Sequence, residues 1–158
     1  MTGVQTCALP ILFTIFILGP AFLDFNLFKK AIIIFCIVLA TFVILQFVVF
    51  SISGFLIPGF ILDAELNDGG ITGRELYNNY LNYANVSGYL KPNGFLCEPA
   101  HAAQCLFLGL ILTLFSRDVN KSIQKGIYIS LAMFVTMSTS AIVYTIFAWI
   151  LWLSLIHI

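Results

Sequence analysis

Charge is what this sequence has least of. Only 9% of its 158 residues are Asp, Glu, Lys or Arg, against about 25% in a soluble domain. A chain so poor in charge has little with which to cover a water-facing surface. Its seven acidic and seven basic side chains cancel, which excludes the basic face that nucleic acid requires and any strongly charged soluble partner. Cysteine is scarce too. Four scattered thiols make neither a disulfide scaffold nor a metal knuckle, and no metal or cofactor is expected. Hydrophobic residues are abundant, at 61% with a mean hydropathy of +1.04. The length is therefore better counted in membrane spans of about 20 residues each. The chain reads as an all-α, polytopic transmembrane protein whose first partner is the lipid bilayer.

Two terminal strings stand apart. Residues 1–11, MTGVQTCALPI, look like a sequencing adapter translated in frame, and residues 153–158, LSLIHI, like a translated transposase mosaic end. Both are expected to be non-native and are set aside in reasoning about the fold. That leaves 12–152 as a membrane domain fragment, an internal piece of a longer polytopic protein.

Four apolar segments lie within it. Residues 12–23 end at Asp24 and look like the tail of a span. Residues 31–57 carry no charge and would reach about 40 Å as a helix, enough to cross with tilt. Residues 99–115 sit at the lower length limit for a core of about 30 Å. Residues 127–152 are again uncharged, with Trp149 and Trp152 near the far end as interface anchors. Lys29 and Lys30 separate the first two segments, and Arg117, Lys121 and Lys125 the last two. The positive-inside rule makes both short loops cytoplasmic. Between them, residues 58–98 hold Arg74 and Lys91 against Asp63, Glu65, Asp68, Glu75 and Glu98, and this long loop faces outward.

A loop of that length is usually functional or disordered. Inside it, Thr72-Gly73-Arg74-Glu75 is a capping-box pattern that opens a helix. The residues that follow place Leu76, Tyr77, Tyr80, Leu81, Tyr83 and Ala84 on one side and Asn78, Asn79, Asn82 and Asn85 on the other. A short amphipathic helix with tyrosines suits the membrane interface, either as an interfacial element or as a lid packed on neighbouring spans.

The chemistry-bearing string is Lys91-Pro92-Asn93-Gly94-Phe95-Leu96-Cys97-Glu98-Pro99-Ala100-His101. Pro99 suits the first helical position, which puts Glu98 at the N-cap and His101 in the first turn. Glu98 reads two ways, as a cap favoured by the positive helix end or as a functional carboxylate, since ionisable groups at a membrane span are costly and usually functional. His101 is a satisfied interfacial histidine or a proton shuttle near its ordinary pKa of about 6.5. Cys97 and Cys105 lack a second ligand pair, so zinc is not expected. Cys36 reads as a packing residue. The hydroxyl patch Thr136-Met137-Ser138-Thr139-Ser140 reads as helix packing or as substrate lining.

The string GFLCEPAHAAQCLFLGLIL resembles the Gly-x-Phe-x-Glu-Pro-Ser/Ala-His-Phe-Ala segment of O-antigen polymerase-like proteins, in the superfamily of O-antigen ligases and polymerases. The likeness extends over roughly residues 54–152: an external loop, the motif, a span, a short basic loop over 116–125 and a span with a Ser-x-Ser patch. This chain has Lys91 where the family often has arginine, Ala102 for the phenylalanine after histidine, and Ala100 for serine. The resemblance implies a metal-independent membrane glycosyltransferase of the bacterial inner membrane. Such an enzyme joins polyprenyl-pyrophosphate-linked oligosaccharides into a surface polysaccharide at the outer face, with a chain-length regulator protein as a further partner. It implies Glu98 and His101 as catalytic residues, and Lys91, Arg74, Gly94 and Phe95 as substrate-binding. An O-antigen ligase and a lipid-linked glycan flippase are the alternatives; a flippase should line several spans with charge, which 31–57 and 127–152 lack.

Overall fold

The longest apolar run forms the first helix. In a computed structural model, which describes residues 24–59, 73–96, 98–116 and 119–156, α1 covers Phe25–Ser53. It opens where the Asp24 carboxylate accepts the Asn26 N–H at 2.9 Å. It closes at Gly54, whose φ of 67° and N–H bond to the Phe50 carbonyl make a left-handed C-cap. At 29 residues it is about 43 Å long, long and apolar enough to cross a membrane. Leu27, Ile34, Val38, Leu45, Val48 and Ile52 lie exposed along it. The helix is offset from the expected span 31–57: Lys29 and Lys30 belong to its early turns rather than to a loop, and Gly54 stops it before Ile57.

Four further helices follow: α2 (Gly73–Ser87), α3 (Pro99–Leu114), α4 (Val119–Val135) and α5 (Thr139–Ile156). No strand occurs among the described residues. The expected loop helix is present as α2. It seats Tyr77, Leu81 and Ala84 against Phe50, Leu56 and Leu90 and leaves Asn78, Asn79, Asn82 and Asn85 exposed. Tyr83 departs from the expected apolar side and lies 43% exposed. Residues 12–23, the 1–11 string and the proposed Thr72 cap lie outside the described residues.

Small residues set the helix spacing, because they let two backbones approach closely. Gly109 of α3 lies so close to α1 that a Cβ on it would stand 2.5 Å from both Cβ and Sγ of Cys36. The Cys36 thiol donates to the Cys105 carbonyl at 3.2 Å. Around this contact Leu39, Ala40, Val43, Ala103, Leu106, Leu110, Ile129 and Met133 form a fully buried core. Cys36 meets the Cys105–Gly109 turn while Leu39 and Val43 meet Gly94, so α1 and α3 run antiparallel. The register puts Lys29, Lys30, Lys121 and Lys125 at one end of the bundle, and Lys91 and Glu98 towards the other.

The uncharged run 127–152 is not one span. The chain reverses at 136–138, between α4 and α5. Met137 holds a φ of 51°, the Thr136 hydroxyl donates to the Met133 carbonyl at 2.7 Å, and Ser138 and Ser140 share a 2.8 Å hydroxyl bond. The returning helix sets Thr145 on the Met133 sulfur at 3.5 Å and the Trp149 indole N–H on the Ser130 hydroxyl at 2.9 Å. Trp149 and Trp152 therefore lie back toward the lysine-bearing end of α4, not at the opposite interface. The basic stretch 116–125 is likewise largely helical, because α4 begins at Val119, and α5 continues through Leu153 to Ile156.

Candidate functional site

The turn that leads into α3 is organised by one side-chain amide. Gln46 is buried near the upper half of α1, 1% exposed. Its Oε1 accepts the Gly94 N–H at 2.9 Å, and its Nε2 donates to the Gly94 carbonyl at 3.0 Å and to the Ile57 carbonyl at 2.8 Å. Two non-helical segments, 54–59 and 91–96, thereby converge on a single residue. From Gln46, α1 climbs about 10 Å further to Ser53 at 1.5 Å per residue. Both segments thus dip below its tip. Backbone without helical pairing needs such partners, because an unsatisfied peptide group away from water is costly.

Gly94 is the residue this geometry requires. Its φ is +66°, a conformation that strains any residue with a Cβ, and a Cβ there would also lie 2.5 Å from Leu39 Cδ1, which would have to move. A Cβ on Gly59 would collide with the Gly94 carbonyl oxygen. Asn93 tightens the turn: its Nδ2 donates to the Leu96 carbonyl at 2.6 Å, and the Leu96 N–H bonds back to the Asn93 carbonyl at 3.2 Å. Phe95 packs edge-on against Phe35 at 5.5 Å and tilted against Phe42 at 6.2 Å. Gly94 and Phe95, read from the sequence as substrate-binding, are thus engaged with α1 through backbone and ring.

Lys91 lies at the outer edge of this turn. Its ammonium stands 5.4 Å from the centre of the Tyr83 ring and 5.8 Å from that of Tyr89, in range for attraction to the ring faces. The two phenol oxygens are 3.0 Å apart and the rings meet edge to face at 6.0 Å. The Tyr89 hydroxyl bond, helped by the lysine, lowers the pKa of Tyr83; the same bond raises that of Tyr89. Leu56, Ile57, Pro58, Gly59, Tyr77, Leu90, Lys91 and Asn93 border a cavity of about 10 Å³, room for about one water. Small-molecule pockets usually hold about 300–1,000 Å³, so an oligosaccharide would have to lie across the surface outside this cavity.

Glu98 and His101 follow directly. Glu98 is the N-cap of α3 in extended backbone (φ −141°, ψ 146°), Pro99 starts the helix, and the carboxylate makes no capping hydrogen bond. It is exposed, whereas His101 is half-buried, one turn from Cys105 on the side that meets α1. Among the described residues no hydrogen bond or ion pair joins Glu98 to His101 or to Lys91, and no three His, Cys, Asp or Glu side chains converge as a metal site. Lys91, Gly94, Phe95, Glu98 and His101 thus share one turn and helix start. Arg74 lies in the first turn of α2; its side chain, and all of Cys97, lie outside the described residues.

No protein-family model, curated protein or solved structure matches the chain. A cation on an aromatic pair, a carboxylate not used as a cap and an imidazole at the mouth of an apolar helix can bind an anion and move a proton at one rim. Gln46, Tyr83 and Tyr89 were not identified as site residues from the sequence. The one available sign of Gln46 was an amide in an otherwise uncharged, apolar run.

Proposed function

We propose that this chain belongs to a multi-pass enzyme of the bacterial inner membrane, resembling O-antigen polymerases, that extends a surface polysaccharide from polyprenyl-pyrophosphate-linked repeat units at the outer face. The observation that carries this reading is the rim itself. Glu98 and His101 stand at the start of α3, seven and ten residues after Lys91, towards the bundle end opposite Lys29, Lys30, Lys121 and Lys125.

In the reaction, a sugar hydroxyl of the acceptor unit attacks the anomeric carbon of the donor glycan. The bond from that carbon to the pyrophosphate oxygen breaks, and the carrier leaves as its pyrophosphate. His101 takes the hydroxyl proton, with Glu98 orienting the imidazole or acting as the base itself. A base placed in this way contributes about 10²–10⁴ in rate. Lys91 and Arg74 meet the charge that develops on the leaving pyrophosphate. Glu98 would repel that group and belongs on the acceptor side.

The test is polysaccharide chain length on gels, normalised to membrane protein level, in cells carrying the full protein. Glu98→Gln and His101→Ala should each abolish long chains while the protein still inserts. Loss of a mere cap would cost about 0.5–2 kcal/mol of stability and lower the protein level instead. Wild-type chain lengths from Glu98→Gln at normal expression would remove Glu98 from the chemistry.

A further inference from the structure

We propose that Gln46 is the positioning residue of the rim, a single amide that holds the 91–96 turn at its depth beside α1 and so fixes where α3 begins. For its effect on chemistry the inference rests on the reading of Glu98 and His101 given above; for its structural content it does not. Three observations carry it. Gln46 is 1% exposed, in a helix whose other polar side chains mostly turn back on their own backbone: Thr41 to Ile37, Ser51 to Phe47 and Ser53 to Val49. Thr41 also makes one bond across, to the Tyr128 hydroxyl at 2.8 Å, but Gln46 is the one that ties non-helical backbone to the helix, with three hydrogen bonds of 2.8–3.0 Å to two segments. Those bonds take both backbone groups of Gly94, a residue with a φ of +66° that favours glycine.

A side-chain amide is well suited to the task because it offers donor and acceptor together, so it pairs with a peptide unit much as a neighbouring strand would. An apolar replacement leaves the Gly94 N–H and the Gly94 and Ile57 carbonyls without partners at a depth where water is scarce, and the turn is then expected to move outward to find it. A carboxylate would keep the bond from the Gly94 N–H but set negative charge against two carbonyl oxygens. Glu98 and His101 follow the turn by only a few residues, with Pro99 between them limiting slack. Displacing Gly94 therefore displaces both.

The experiment uses the full protein in membranes, in a background lacking other reactive thiols, and reads labelling by an impermeant maleimide at a cysteine placed at Leu90, which is 2% exposed. A cysteine at Leu110, fully buried in the helical core, reports on the bundle. With Gln46 present both sites should be protected. Gln46→Met and Gln46→Glu should each speed labelling at position 90 by tenfold or more while position 110 stays protected. Unchanged protection at position 90 would overturn the proposal, and so would equal exposure of both sites, which would make Gln46 a general stability residue. Polysaccharide chain length is read on the same Gln46 variants with Leu90 and Leu110 intact. Release of the turn with chain length unaltered leaves the clamp standing and contradicts the catalytic reading of the rim.

Discussion

Replacing Gly109 by alanine should destabilise the bundle, although alanine is the better helix former. Two effects oppose each other. Gly→Ala in a helix interior gains about 1 kcal/mol from backbone entropy. Against that, the new Cβ would stand 2.5 Å from Cys36 Cβ and Sγ, so α1 and α3 must part, and overpacking of a close-packed contact costs about 1–3 kcal/mol. The net is a loss of about 0–2 kcal/mol. Gly126 provides the comparison. A Cβ there meets Leu114 Cδ2 at 2.9 Å and little else closer than 3.6 Å, and a leucine tip can rotate away. Gly126→Ala should therefore be neutral or gain up to about 1 kcal/mol. The helix-propensity gain is common to both variants and cancels, so the difference between them is the overpacking cost at Gly109, about 1–3 kcal/mol, roughly 5- to 150-fold in the unfolding equilibrium at 1.4 kcal/mol per tenfold. Equilibrium unfolding in mixed detergent micelles, followed by the fluorescence of Trp149 and Trp152, reads it. Cys36→Ala should recover part of the Gly109→Ala loss, because it removes Sγ but leaves Cβ. A Gly109→Ala protein as stable as Gly126→Ala would refute the close approach of α1 and α3.

Three further outcomes are expected. A Met133→Cys/Thr145→Cys pair should be joined by a short bifunctional thiol reagent, since the reversal brings the Met133 sulfur and the Thr145 hydroxyl to 3.5 Å, whereas one continuous helix would hold the two residues about 18 Å apart; failure to join them under conditions that bridge a buried control pair would restore the single helix. In intact cells an impermeant thiol reagent should label Asn85→Cys but reach Gln124→Cys only after permeabilisation; the reverse pattern would turn the proposed topology over. Because Tyr83 titrates low through its bond with Tyr89, Tyr89→Phe should raise the Tyr83 ionisation toward the ordinary phenol value, read by ultraviolet absorbance as pH rises. No movement would mean that the two hydroxyls do not meet.

What the sequence disclosed followed from hydropathy and punctuation. An uncharged run marked α1, the Gly73-Arg74-Glu75 start marked α2, and Glu98-Pro99 marked the first residues of α3. The break at 136–138 left no such mark. Thr136, Met137 and Ser138 include neither glycine nor proline, and the reversal is carried by a positive φ at Met137 and by hydroxyls that replace helical carbonyl partners. That reversal is what returns Trp149 to Ser130, away from the far end that the uninterrupted run implies. The Gln46 contacts were hidden differently: the residues it joins, Ile57 and Gly94, are far apart in the chain, and a local pattern has no access to such pairing. Lys91, Glu98 and His101 were legible because their spacing is local.

The most direct measurement is made on the purified full-length protein, reconstituted in vesicles with a single population of polyprenyl-pyrophosphate-linked repeat units and no other enzyme. The account predicts a ladder of longer glycans still attached to the carrier, with free polyprenyl pyrophosphate released at one per added linkage, and no ladder from Glu98→Gln. Movement of the intact lipid-linked unit across the bilayer without new glycosidic bonds, or transfer of glycan to a lipid acceptor with no lengthening, would contradict it.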